Sequence, residues 1–320
     1  MSAGALRVVG GSASAGLAGS MAEALGLECV ARELERFPDG EIHVRLHDEM
    51  RDDDVYLVQS SGPPTQEHLM ELFLLADAAH RAGARRITAV VPYLAYARQD
   101  RRTATGEPVG LRVVADLLRA SHVDRLVVVD PHTPALESIV SVPVETTTAV
   151  PLLADALRAE VDIDPRSGPD SVLVAPDLGA AKLVDRYAAE LGYDVAIVRK
   201  TRLSGDEVAT GAVVGEVAGR RPIIVDDMIS TGGTLRSAVD ALVAAGATGP
   251  VTVAASHGLM VGPAGDRLRA AAVATLVTTD SLEVPETDVH VVTVGLGDRL
   301  GAVIHRLHHG QPLDELAAHR

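Results

Sequence analysis

The run Arg221–Leu235, RPIIVDDMISTGGTL, orders its residues as a sugar-phosphate site requires. An apolar strand ends in two carboxylates, Asp226 and Asp227. Ser230, Thr231, Gly232, Gly233 and Thr234 come next, and then a helical stretch. Glycine admits positive φ, so successive N–H groups can turn inward as an anion nest. The helix N-terminus adds partial positive charge, and the hydroxyls add donors. A phosphate monoester suits this turn. The carboxylates cannot bind phosphate; they suit sugar hydroxyls or a magnesium ion. Phosphate beside a vicinal diol describes a ribose phosphate. No lysine follows the glycines, so the turn is not a P-loop, and it does not spell the dinucleotide fingerprint. The rival reading is a buried strand with a glycine turn and two solvated acids.

Five other places carry candidate chemistry. Phe37-Pro38-Asp39-Gly40-Glu41 sets an aromatic ring beside two carboxylates in a tight turn. The ring could stack on a purine while a carboxylate accepts from an exocyclic amine; otherwise Phe37 tucks into the core beneath a surface turn. Arg98-Gln99-Asp100-Arg101 lies in a long connection, 92–108, and offers guanidinium forks to polyphosphate oxygens or forms a solvated charge cluster. His132 and Asp177 each stand just past an expected strand end, where α/β proteins gather their sites; either alone also reads as a turn residue. Lys200 and Arg202 open a second long loop, and Lys200 is one of only two lysines in the chain.

Short β-branched runs alternate with Ala/Leu-rich helical stretches at a spacing that predicts parallel sheets flanked by helices. Strands are expected at Leu6–Gly10, Val55–Ser60, Ile87–Val91 and Arg125–Asp130, then again at Val172–Pro176, Val195–Arg199, Pro222–Asp227, Val251–Ser256 and Ala274–Thr278. One intervening helix, Gln66–Ala82, places Leu69, Phe73, Ala76 and His80 on one face. The fold class is α/β, as two similar domains, 1–147 and 148–320, with the last helix free to pack on the first domain. A net charge of −15 argues against a nucleic-acid binder, and the single Cys29 cannot form an internal disulfide. No apolar run reaches membrane-span length, and the N-terminus has no signal-peptide pattern. A cytoplasmic protein is expected.

The phosphate turn, together with FPDGE, PYLAYARQDR (Pro92–Arg101) and SSGPPTQEHLMEL (Ser60–Leu72), resembles the ribose-phosphate pyrophosphokinase family over about Leu6–Leu300. The turn alone resembles many phosphoribosyltransferases. The family resemblance implies transfer of a diphosphoryl group from ATP to ribose 5-phosphate, with Mg2+, in a homo-oligomer that is dimer-based or hexameric. It implies that Phe37, Asp39, Gly40 and Glu41 hold adenine across a subunit interface, with Arg98 and Gln99 also on ATP. By the same resemblance, Asp226, Asp227 and Ser230–Thr234 hold the sugar phosphate, and His132 and Asp177 the metal. Lys200 stabilises the transition state, and Arg202 sits on the ribose phosphate or the transferred group. The alternatives are a phosphoribosyltransferase that consumes the product and a catalytically weak regulatory subunit.

The chain departs from the family pattern in places. Asp130-Pro131-His132-Thr133-Pro134-Ala135 keeps the histidine but remodels the residues after it, and Ser230 replaces the usual Asp. Asp48-Glu49-Met50-Arg51-Asp52 stands where relatives carry a serine-containing regulatory phosphate segment. A carboxylate there repels phosphate. Activation by inorganic phosphate and inhibition by ADP should therefore be weak. Dialysed protein assayed with and without added phosphate checks this, and strong phosphate dependence contradicts it.

Overall fold

The computed structural model describes residues 4–160, 171–199, 201–204, 207–209 and 212–317. The chain divides into two units, Met1–Thr148 with Gly295–Arg320, and Ala149–Val294. The first unit runs β1 (Leu6–Gly10), α1 (Ala15–Ala24), β2 (Arg32–Arg36), β3 (Ile42–Leu46), β4 (Asp54–Val58), α2 (Thr65–Arg81), β5 (Arg86–Val90), α3 (Gly110–Ala120), β6 (Arg125–Val129), α4 (Leu136–Ile139) and β7 (Val144–Thr147). The second begins with α5 (Val150–Glu160), β8 (Ser171–Ala175), α6 (Ala181–Leu191), β9 (Val195–Val198), β10 (Thr201–Ser204), β11 (Glu207–Ala209) and β12 (Val213–Val214). It continues with β13 (Arg221–Ile229), α7 (Gly233–Ala244), β14 (Val251–Gly258), α8 (Ala264–Ala270), β15 (Val273–Thr279) and β16 (His290–Val294). Helix α9 (Gly297–His308) belongs to the first unit.

Each unit is built on one main sheet. In the first the order is β1-β4-β5-β6-β7, all parallel. In the second it is β12-β9-β8-β13-β14-β15-β16, parallel except for β12 against β9. The apolar strands are covered on both faces, as parallel sheets demand: β4 is buried at all five positions and β14 at all eight. Helix α3 buries Leu111, Val114, Ala115 and Leu118, the stripe that a 3.6-residue period predicts. On α2 the buried stripe is Leu69, Leu72, Leu75, Ala76 and Ala79. Phe73 is only partly buried against that core. His80, expected on the same face, instead emerges to solvent in the last turn and stacks on His122, ring centroids 3.7 Å apart.

The strands β2 and β3 form an antiparallel hairpin outside the main sheet. Their charged residues alternate with Val44 and Leu46, which pack on the core of the first unit. Helix α9 lies close against α1: a Cβ on Gly297 would stand 2.6 Å from that of Ser20, and one on Gly301 3.0 Å from that of Ala24.

A buried ionic knot ties α9 to the sheet. Asp54 is fully inaccessible to solvent. It accepts from Arg86 Nε at 2.8 Å, from a second Arg86 nitrogen, from Tyr56 Oη at 3.1 Å and from His308 Nδ1 at 2.9 Å. Burial pushes the Asp54 carboxyl up, but the bonds from Arg86, His308 and Tyr56 outweigh it and hold the group below the usual carboxylate range. Asp54→Asn leaves the Arg86 guanidinium without its counter-charge and should cost about 3 kcal/mol in denaturant unfolding. A lowered folded pKa contributes stability that is present above roughly pH 4 and lost as pH falls through it. The gap between wild type and variant should therefore be full at neutral pH and narrow in acid.

Candidate active site

In the second unit, the parallel register that pairs Ile224 of β13 with Val174 of β8 brings Asp226 and Asp177 to the same carboxyl edge. The strand continues in register with β14 through Ile229, and the turn Ser230–Gly232 leads into α7. Gly232 caps that helix with φ at 73°, a left-handed conformation that glycine adopts freely. A Cβ there would lie 3.1 Å from Leu268 Cδ1, so both the backbone and the close approach of α8 call for glycine.

Each carbonyl of the turn has a partner outside it. Met260 N donates to Ile229 O at 3.0 Å, and Val261 N to Ser230 O at 3.0 Å. Arg267 Nη1 donates to Thr231 O at 2.9 Å, and Arg236 N to Gly232 O at 3.0 Å. An α-helix opens with amides that its own carbonyls cannot reach, and α7 opens at Gly233. The acceptor side of the turn is thus tied back, and the opening of a helix carries partial positive charge.

The carboxylates crowd one another. Asp227 N donates to Asp226 Oδ1 at 2.9 Å. Burial, then the neighbouring Asp227 charge and its side-chain hydrogen bond, then Asp177, push Asp226 up to about 8. Asp177 accepts from Gly179 N at 2.9 Å and caps the short turn after β8. Such a cluster suits partners that donate hydroxyl protons or bring positive charge.

In the first unit, the β2–β3 hairpin carries Phe37–Glu41 at its tip. Gly40 N donates to Phe37 O at 2.8 Å, Gly40 takes φ of 95°, and Glu41 N donates to Asp39 Oδ1 at 3.1 Å. Phe37 is 47% exposed rather than tucked into the core. The 92–108 connection is pinned at its start, where Ser61 Oγ donates to Tyr93 O at 2.9 Å and accepts from Ala95 N at 2.7 Å. Tyr96 at φ 64° and the bond from Gln99 N to Tyr96 O then turn Arg98 and Gln99 outward to solvent. Thr133 Oγ1 donates to Asp100 Oδ2 at 2.7 Å, which joins this loop to the exposed His132. Ahead of His132, Asp130 holds φ at 36° while its amide donates to Thr147 O at 3.0 Å.

The structure therefore gathers the expected residues into two groups: Asp177, Asp226, Asp227 and the phosphate turn in one unit, and Arg98, Gln99 and His132 in the other, which also carries the hairpin tip. Lys200 lies outside the described residues, and Arg202 is placed in β10 by its backbone. Among the described residues, no three His, Cys, Asp or Glu side chains converge as ligands for one ion. Arg267, Thr133 and Ser61 are not foreseen from the sequence. Ser61 and Thr133 lie inside quoted motifs, but nothing in the sequence gives their partners; each acts through a contact distant in sequence.

A carboxyl with a raised folded pKa stays protonated where the unfolded chain has ionised, so stability falls as pH rises from roughly 4 toward 8. Asp226→Asn removes that cost. The ligand-free variant should melt above wild type at pH 8, with the difference closing toward pH 4; a variant that melts lower at pH 8 contradicts the raised pKa.

Comparison with known proteins covers both units. Residues 6–121 match the family model described as the N-terminal domain of ribose phosphate pyrophosphokinase. Residues 152–294 match the phosphoribosyl transferase domain. The chain is 40% identical over 287 residues to a ribose-phosphate pyrophosphokinase of Streptomyces avermitilis, covering 89% of this chain and 87% of the relative. It is 34% identical over 313 residues to that of Caldanaerobacter subterraneus, covering 97% of each. The crystal structure of phosphoribosylpyrophosphate synthetase from Mycobacterium smegmatis superposes with a TM-score of 0.85 at 33% identity, covering 96% of this chain and 99% of that one.

Proposed function

Because the chain belongs to the ribose-phosphate pyrophosphokinase family, we propose that it transfers the diphosphoryl group of ATP to the 1-hydroxyl of ribose 5-phosphate, giving 5-phosphoribosyl 1-diphosphate and AMP. The observation that carries this reading is the turn heading α7, whose carbonyls are all engaged from outside; a helix N-terminus opened in this way attracts an anion. The 5-phosphate sits there on Ser230–Thr234. Asp226 and Asp227 accept from the ribose hydroxyls, which suits two carboxyl groups crowded at one strand end.

The outward-facing Arg98 and Gln99 take the phosphates of ATP, and the exposed Phe37 stacks on adenine with Asp39, Gly40 and Glu41 around it. An aromatic ring 47% exposed at a hairpin tip supports a base held against a second copy of the chain in a homo-oligomer. The anomeric oxygen attacks the β-phosphorus, the new O–P bond forms as the bridge to the α-phosphate breaks, and AMP leaves. Lys200 and Arg202 offset the charge that develops on the transferring group, so catalysis rests on positioning and electrostatics.

The donor set fits Mg2+. Burial first, and then the Asp227 and Asp177 charges, push Asp226 up to about 8, a tension that a hard cation relieves. Such an ion takes one or two protein ligands and completes its shell with substrate phosphates and water. His132 and Asp177 are each proposed to contact Mg2+; when bound it would neutralise phosphate charge. Among the described residues no helix is long and apolar enough to cross a membrane, and we place the enzyme in the cytoplasm.

A phosphoribosyltransferase would need only the second unit, whereas the relatives match the first unit equally. Purified protein with ATP, Mg2+ and ribose 5-phosphate should release AMP. No AMP from the wild type refutes the reading and favours a regulatory subunit. In that assay Lys200→Ala should lower turnover by about 10²–10³, the scale of losing one transition-state charge contact. Near-normal turnover would remove Lys200 from the mechanism.

A further inference from the structure

We infer that Arg267 of α8 is a binding residue for the 5-phosphate of the sugar substrate, serving the phosphate turn from outside it. The inference rests on the assignment of that turn to the 5-phosphate.

Ser230–Thr234 contains no cation, and three carboxylates stand near it: Asp177, Asp226 and Asp227. Amides and hydroxyls alone must then hold a dianion in a field that repels it. Arg267 corrects this balance. Its Nη1 donates to Thr231 O at 2.9 Å and lies 3.5 Å from where a Cβ on Gly233 would begin. The guanidinium therefore borders the amides that open α7.

Its charge is unspent. Asp266 and Asp288 both pair with Arg269, and Arg236 of α7 pairs with Asp240. Among the described residues, the Arg267 side chain donates only to the Thr231 carbonyl and has no carboxylate within ion-pair distance. A guanidinium has five N–H donors in a fixed fork, so one arm on the carbonyl leaves others for phosphate oxygens. Charge-assisted bonds of this kind are about twice as strong as neutral ones.

The placement is rigid. Ala264 and Leu268 are fully buried, and Leu268 and the Arg267 Cβ pack against Gly232. The amides of Met260 and Val261, just before α8, hold the turn's carbonyls. Turn and helix thus form one body, and the cation is positioned before the ligand arrives, which lowers the ordering cost of binding.

The test is calorimetric binding of ribose 5-phosphate to the full chain at two or more salt concentrations, with sugar-phosphate and ATP KM values alongside. Arg267→Gln should weaken ribose 5-phosphate about tenfold, with the loss falling on the sugar-phosphate KM, the KM for ATP unmoved and the salt dependence flattened. Arg267→Lys should recover most of the affinity and the salt dependence. Affinity within about twofold of wild type in Arg267→Gln overturns the inference, as does an equal loss in both variants with an unchanged salt slope, which marks a purely structural role. Gly232→Val, which fills the turn itself, should abolish binding. If Gly232→Val still binds ribose 5-phosphate, the turn assignment falls and the inference with it. If Gly232→Val fails to bind while Arg267→Gln binds as wild type does, only the role of Arg267 falls.

Discussion

A turn that binds an anion must dispose of its own carbonyl oxygens, because each would repel the ligand its amides attract. In the second unit this constraint is met by the segment after β14. The amides of Met260 and Val261 and the guanidinium of Arg267 take up the carbonyls of Ile229, Ser230 and Thr231. Gly232 supplies the left-handed residue that reverses the chain into α7. Sheet, turn and α8 are therefore one arrangement: shifting α8 would free the carbonyls and spoil the donor array even if every residue of the turn stayed in sequence.

Next to that array the protein holds a carboxyl that its surroundings press toward the neutral form. Burial and mutual repulsion push Asp226 to about 8. Tension of this kind is common where a site is organised for a ligand and not for the empty fold. The first unit shows the opposite use of a buried carboxylate. Asp54 is surrounded by Arg86, Tyr56 and His308 and is held ionised, fastening α9 to the sheet. In one case the partners are in the fold; in the other, on the proposed reading, the substrate brings them.

Much of this is legible in sequence because it is local. The strand–DD–STGGT–helix order appears as β13, turn and α7, and the apolar runs Val55–Val58 and Ile223–Val225 are buried strands. Elements with weaker local signals escape such a reading. The β2–β3 hairpin is too charged to look like sheet, since only one side of it packs on the core. Periodicity carries the α2 stripe too far, to His80, because it does not record where a helix runs out into solvent. Arg267, Thr133 and Ser61 stay invisible for a different reason: their partners lie 36, 33 and 32 residues away, and nothing but the folded chain pairs them.

The central claim is that the amides heading α7 hold the sugar's phosphate. Backbone amide NMR of the isotope-labelled chain during titration with ribose 5-phosphate tests it most directly. The account predicts that the N–H signals of Gly232, Gly233 and Thr234 shift downfield most, saturating together with the Arg267 guanidinium signals. Saturable binding that leaves those amides unmoved and shifts signals elsewhere would contradict it.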